Sequence, residues 1–180
     1  CSGLTSIVIP DGVTSIGKWA FNNCSSLASV IIPNSVTSIG HYAFCDCSSL
    51  TTVSIGKGLK SISTGLFSSC DSLRLVTISE SIESIEAWAF GGCKSLTSIT
   101  IPKSVINIGE NAFNGNRSLT SIIIPESVTS IGDNVFKDCD SLSNIAVIGN
   151  RKFQALNRYK VANCDRVIDG FIMKNNEVLG

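Results

Sequence analysis

Leucine returns at Leu4, Leu27, Leu50, Leu73, Leu96, Leu119 and Leu142, every 23 residues, and Phe21, Phe44, Phe67, Phe90, Phe113 and Phe136 keep the same interval. A period of this length with apolar residues at fixed offsets makes each unit one coil of a solenoid, stacking its side chains on their own copies in the next coil. The third and fifth residues after each leucine are β-branched, as in Val30 and Ile32 or Ile122 and Ile124, and alternate with smaller or polar ones. That period of two predicts a short strand with one face inward. Apolar residues at the ninth and twelfth offsets, such as Val36 and Ile39 or Val128 and Ile131, predict a second extended stretch. The Ala-Phe-x-x-Cys that follows predicts a helical or 3₁₀ turn with its phenylalanine inward.

Punctuation supports these boundaries. Pro10, Pro33, Pro102 and Pro125 follow the first strand directly, where a fixed φ and a missing donor end pairing. Gly17, Gly40, Gly109 and Gly132 follow the second stretch, and a turn with positive φ is expected there. Eight of the 23 positions in a unit face inward, so coils must stack, with parallel strands about 4.8 Å apart. The third and fourth units depart from the pattern: Gly56 and Ser79 replace proline, Ser63 and Glu86 replace glycine, and Leu66 replaces alanine. A local bend or widening of the solenoid is expected at these units.

The repeat accounts for residues 1–148, some six to seven coils, and then stops. Residues 149–180 read as a divergent C-terminal cap or a segment between repeat cassettes. Within it, Arg151 to Tyr159 is expected to form a short helix burying Phe153 and Leu156, and Val167 to Leu179 a hairpin turning at Asn175-Asn176. At the other end, Cys1-Ser2-Gly3-Leu4 corresponds to Cys24-Ser25-Ser26-Leu27 one unit later. The expectation is a segment cut from a longer protein, with a coil or cap before it.

Charge and chemistry narrow the function. Fourteen basic and fourteen acidic residues give a formal net charge of zero, so nothing global steers the chain toward nucleic acid or an anionic membrane. No stretch approaches the roughly 18 to 20 apolar residues of a membrane-spanning helix. Of eight cysteines, Cys1, Cys24, Cys47, Cys70, Cys93 and Cys139 share one offset, with Asn116 in the remaining slot. This is the pattern of a small buried side chain that bonds turn backbone, rather than of a disulfide framework. Zinc would want paired Cys-x₂₋₄-Cys ligands, which the chain lacks, so no metal or cofactor is expected. Cys45 and Cys164 lie outside the column and are expected to be exposed thiols. The single histidine, His41, occupies a variable offset, and the serines recur as repeat letters, so no catalytic constellation emerges. Two Asn-x-Ser sequons, at Asn23 and Asn116, fall in Ser- and Asn-rich turns where chance suffices to explain them.

The motifs Leu-x-Ser-Ile/Val-x-Ile-Pro, Ser-Val-Thr-Ser-Ile-Gly and Ala-Phe-x-x-Cys, clearest from Leu27 to Cys47, resemble the 23-residue unit of the BspA-like leucine-rich repeat family. The resemblance covers Cys1 to about Ile148. It implies an α/β leucine-rich repeat solenoid, mostly β with short 3₁₀ or helical turns and parallel stacked strands. It also implies a surface-exposed or secreted protein, some members being adhesins, and brings no catalytic motif. The expected function is a non-enzymatic module binding a protein partner at a cell surface or in extracellular matrix. The candidate surface is the outward side of the first strand: Val8, Ile31, Ser54, Leu75, Thr77, Thr100 and Ile123. A glycan-binding module stacking sugars on Trp19, Tyr42 and Trp88 is the first alternative, and a rigid spacer presenting another domain is the second.

Overall fold

A computed structural model describes residues 1–148, together with the backbone of three short strands at 167–168, 171–174 and 177–179. Each complete coil contributes one strand to each of two parallel ladders. The first ladder comprises β2 (Ser29–Ile32), β4 (Thr52–Ile55), β6 (Leu75–Thr77), β8 (Ser98–Thr100), β10 (Ser121–Ile124) and β12 (Asn144–Val147). The second comprises β1 (Ser15–Ile16), β3 (Ser38–Ile39), β5 (Ser61–Ile62), β7 (Ser84–Ile85), β9 (Asn107–Ile108) and β11 (Ser130–Ile131). Register follows the repeat, so Ile31 lies against Ser54, Ser54 against Thr77, and Ile123 against Thr100.

Apolar side chains fill the column inside. Leu27, Leu50, Leu73, Leu96, Leu119 and Leu142 are fully buried, as are Phe44, Phe67, Phe90 and Phe113. Successive phenylalanine rings stack with centroids 5.0 to 5.9 Å apart and planes within 17° of parallel. An aromatic pair in such geometry is worth about 0.5–1.5 kcal/mol beyond the area it buries.

The Ala-Phe-x-x-Cys segment is a stack of turns, and no α- or 3₁₀-helix occurs among the described residues. The reason lies in φ. Trp19, Tyr42, Gly65, Trp88, Asn111 and Asn134 at one offset, and Asn23, Asp46, Ser69, Gly92, Gly115 and Asp138 four residues later, all take positive φ between 54 and 74°. Each such residue reverses the winding before a helix can propagate and turns alternate N–H groups along the solenoid axis. Thus Phe21, Phe44, Phe67 and Phe90 donate to the carbonyls of Ala43, Leu66, Ala89 and Ala112 in the next coil, at 2.8 to 3.0 Å. The N–H groups of Asn22 and its equivalents, and those of Cys24, Cys70 and Cys139, close turns within their own coil. The turn side is therefore a third hydrogen-bonded edge.

The glycines expected at positive φ do not adopt it. Gly17, Gly40, Gly109 and Gly132 lie outside the left-handed region, and three of them answer to space instead. A Cβ on Gly40, Gly109 or Gly132 would come within 2.4 to 2.5 Å of the backbone nitrogen of Lys18, Ala87 or Glu110 in the coil below.

Both ladders are interrupted beside the departing third and fourth coils. The second ladder breaks between β3 and β5, where Gly56 and Ser63 replace proline and glycine, and the first breaks between β6 and β8. Gly56 uses the donor that proline lacks, and its N–H reaches Ile32 O at 2.9 Å. Past Ile148, β13 (Val167–Ile168), β14 (Phe171–Lys174) and β15 (Glu177–Leu179) form an antiparallel sheet in which Lys174 pairs with Glu177, as a hairpin requires. The expected helix over 151–159 and Cys164 lie outside the described residues.

Candidate binding faces of the solenoid

The outward face of the first ladder is built by alternation. While Val30, Ile32, Val53 and Ile55 turn into the column, the residues between them must turn out. Ile31, Leu75 and Ile123 are 69%, 59% and 57% exposed, Thr77 and Thr100 are exposed, and Ser54 is half-buried. Val8 is 88% exposed but lies before the first strand of the ladder.

Register separates these residues into two rows. Ile31, Ser54 and Thr77 form one continuous row, and Thr100 and Ile123 extend it beyond the break between β6 and β8. Leu75 belongs to the parallel row of Ser29 and Thr52. The exposed apolar side chains therefore do not touch in a single patch. They stand as isolated points on a face whose other outward residues, from β2 to β10, are serine and threonine. Neither row carries a charge from Ser29 to Ile123.

The aromatic residues occupy the turn side at one of the positive-φ offsets. There Tyr42 covers its neighbour: a Cβ on Gly65 would lie 2.2 Å from Tyr42 Cε1, so the ring spreads over that glycine. Trp88 likewise lies across Gly91, with its Cε3 at 2.6 Å from a would-be Cβ, and remains 40% exposed. Trp19 is the freest, at 60% exposure. The three do not stack into a platform, and every ring pair found among the described residues belongs to the phenylalanine column.

The cysteine column behaves as its position implies. Sγ–H of Cys47, Cys70, Cys93 and Cys139 donates to the carbonyls of Phe21, Phe44, Phe67 and Phe113 at 3.1 to 3.2 Å. Asn116 does not reproduce this bond: it is fully buried, and neither Nδ2 nor Oδ1 finds a partner. Its burial also closes that sequon to modification in the folded chain. Cys45, expected at the surface, is buried, with its thiol donating to Asp46 Oδ2 at 3.2 Å. Burial, reinforced by Asp46, pushes that thiol up to about 12. No group of three or more His, Cys, Asp or Glu side chains placed to hold a metal ion occurs among the described residues.

Parallel ladders repeating every 23 residues around a leucine column define a leucine-rich repeat solenoid. The pattern of the BspA type leucine rich repeat region matches in six copies, over residues 1–115 and 67–180, and the chain belongs to that family. Its fold is similar to a leucine-rich repeat protein from Bacteroides ovatus (TM-score 0.79, 32% identity), covering 95% of this chain and 43% of that one. It is also similar to one from Eubacterium ventriosum (TM-score 0.72, 29% identity), covering 88% of this chain and 41% of that one. A leucine rich cell surface protein from Faecalibacterium prausnitzii has a TM-score of 0.58 at 27% identity, covering 84% of this chain and 55% of that one. The chain thus spans about half the length of these relatives or less. A comparison with curated proteins returns no match.

Proposed function

We propose that this chain is a non-enzymatic protein-binding module of a surface-exposed or secreted protein, working through the outward face of the first ladder. The supporting observation is that face itself: two rows of hydroxyls without charge, carrying exposed Ile31, Leu75 and Ile123. Desolvating serine and threonine costs far less than desolvating ionised groups, and apolar points that find pockets on a partner supply the driving force. A rigid sheet also loses little conformational entropy on docking. Family membership and the cell-surface description of the Faecalibacterium relative support the location.

Lysine in place of Ile31, Leu75 and Ile123 together tests this reading, with capture of a panel of soluble matrix proteins measured by surface plasmon resonance. The expected result is loss of binding with the circular dichroism spectrum retained. Unchanged affinity would remove this face from consideration. Sugar stacking on Tyr42 is disfavoured by its ring lying over Gly65. A pure spacer would bind nothing in the panel.

A further inference from the structure

The turn side carries a second surface, separate from the strand face. Asn23, Asp46, Ser69 and Gly92 stand in one row and Ser48, Asp71 and Lys94 in another, and together they line a groove of about 480 Å³. The rows sit on either side of the buried cysteine column in sequence, one residue before and one after Cys47, Cys70 and Cys93. The groove therefore follows the solenoid axis across four coils.

Its chemistry rules out some ligands and favours others. Left-handed residues in a row could display backbone N–H groups as an anion nest. Here Asn23, Asp46, Ser69 and Gly92 have already given theirs to the next coil, at 2.7 to 2.9 Å. Asp46 and Asp71 would in any case repel an anion. Lys94 Nζ lies 2.8 Å from Asp71 Oδ2 and neutralises it, which removes the doubled negative charge a cation would seek. What remains is an alternation of amide, carboxylate, hydroxyl and ammonium, donors and acceptors that repeat with the coils. On this side the phenylalanine rings of the same coils repeat at 5.0 to 5.8 Å, close to the length of one sugar unit in an extended β-linked chain.

We propose that this groove binds an extended β-linked oligosaccharide along the solenoid axis, one sugar unit to a coil. The binding groups are the side chains of Asn23, Asp46, Ser69 and Asp71. This site differs from an aromatic stacking platform because its recognition is polar, and it is independent of the strand face.

Calorimetric titration of the chain with cellohexaose, laminarihexaose and chitohexaose tests it. Asp46→Asn and Asn23→Gly are the variants, because both replacements suit positive φ and leave the fold intact. At least one hexasaccharide should saturate, each variant should weaken it roughly tenfold, about 1.4 kcal/mol, and Ile31→Lys should leave it unchanged. Absence of heat from all three at about 1 mM, the weak end of specific affinity, would overturn the proposal. So would binding that falls with Trp19→Ala but not with Asp46→Asn, since that would place the sugar on the aromatic row.

Discussion

Asn116 occupies the slot that six other coils give to cysteine, and the two residues meet the same neighbours differently. A cysteine there puts one weak donor against a phenylalanine carbonyl, while the asparagine brings an amide whose two polar atoms stay unpartnered in a fully buried site. An unsatisfied buried polar group costs about 1–3 kcal/mol. Asn116→Cys, which by register would restore a bond to the Phe90 carbonyl, should therefore stabilise the chain by at least ~1 kcal/mol, read as a higher urea midpoint. The phenylalanine column gives the opposite sign: Phe90→Ala or Phe113→Ala opens a cavity between stacked rings and should cost about 3–5 kcal/mol in the same titration. The thiols add a pH dependence. Burial pushes Cys139 up to about 11, and burial with Asp46 pushes Cys45 up to about 12, from an ordinary 9.0. The folded state thus keeps these thiols neutral where the unfolded chain ionises. Their contribution to stability is complete below about pH 9 and is lost as pH rises toward 11 to 12. A urea midpoint that holds from pH 6 to 8 and falls above pH 9 is the expected outcome.

At the scale of the element, strands and turns differ in how far the chain announces them. The leucines, phenylalanines and β-branched pairs were legible because each side chain repeats its own burial, and a period of two or 23 survives in a bare sequence. The turn conformation was not legible. Its left-handed residues include Trp19, Tyr42, Trp88 and Ser69, which local preference alone would not place there. They are held by N–H groups bonded to the neighbouring coil, a three-dimensional cause with no residue signature. Cys45 was misplaced for the same reason, since its burial depends on which way the turn faces. A left-handed conformation costs a residue with Cβ about 1–2 kcal/mol. Ser69→Gly should recover part of that, roughly 1 kcal/mol, and raise the melting temperature by about 2–4 °C. Gly132→Ala should do the reverse, because its Cβ would meet Glu110 N at 2.4 Å, whereas Gly17→Ala has open space and should be near neutral.

For the whole molecule, the departures in the third and fourth units marked where regularity fails, and both ladder interruptions border those coils. The interruption between β6 and β8 falls within the strand face, between Thr77 and Thr100, so that surface is two hydrogen-bonded sheets in sequence rather than one. The sequence could name the outward residues but not this division, nor the groove, which exists only when turns from four coils are superposed. Division matters for binding: a partner spanning Ile31 and Ile123 has to cross the interruption between β6 and β8, whereas one lying on β2, β4 and β6 meets Ile31 and Leu75 but not Ile123. Lys substitution at Ile123 by itself therefore separates long from short footprints. The two outward rows carry no charge from Ser29 to Ile123, so screening has little to act on along them. Affinity for a protein partner should change less than about twofold between roughly 0.05 and 0.5 M salt, measured by surface plasmon resonance. A steep decline would place the contact on the charged turn edge, where Lys94 pairs with Asp71 and Arg117 Nε lies 3.8 Å from Asp140 Oδ2.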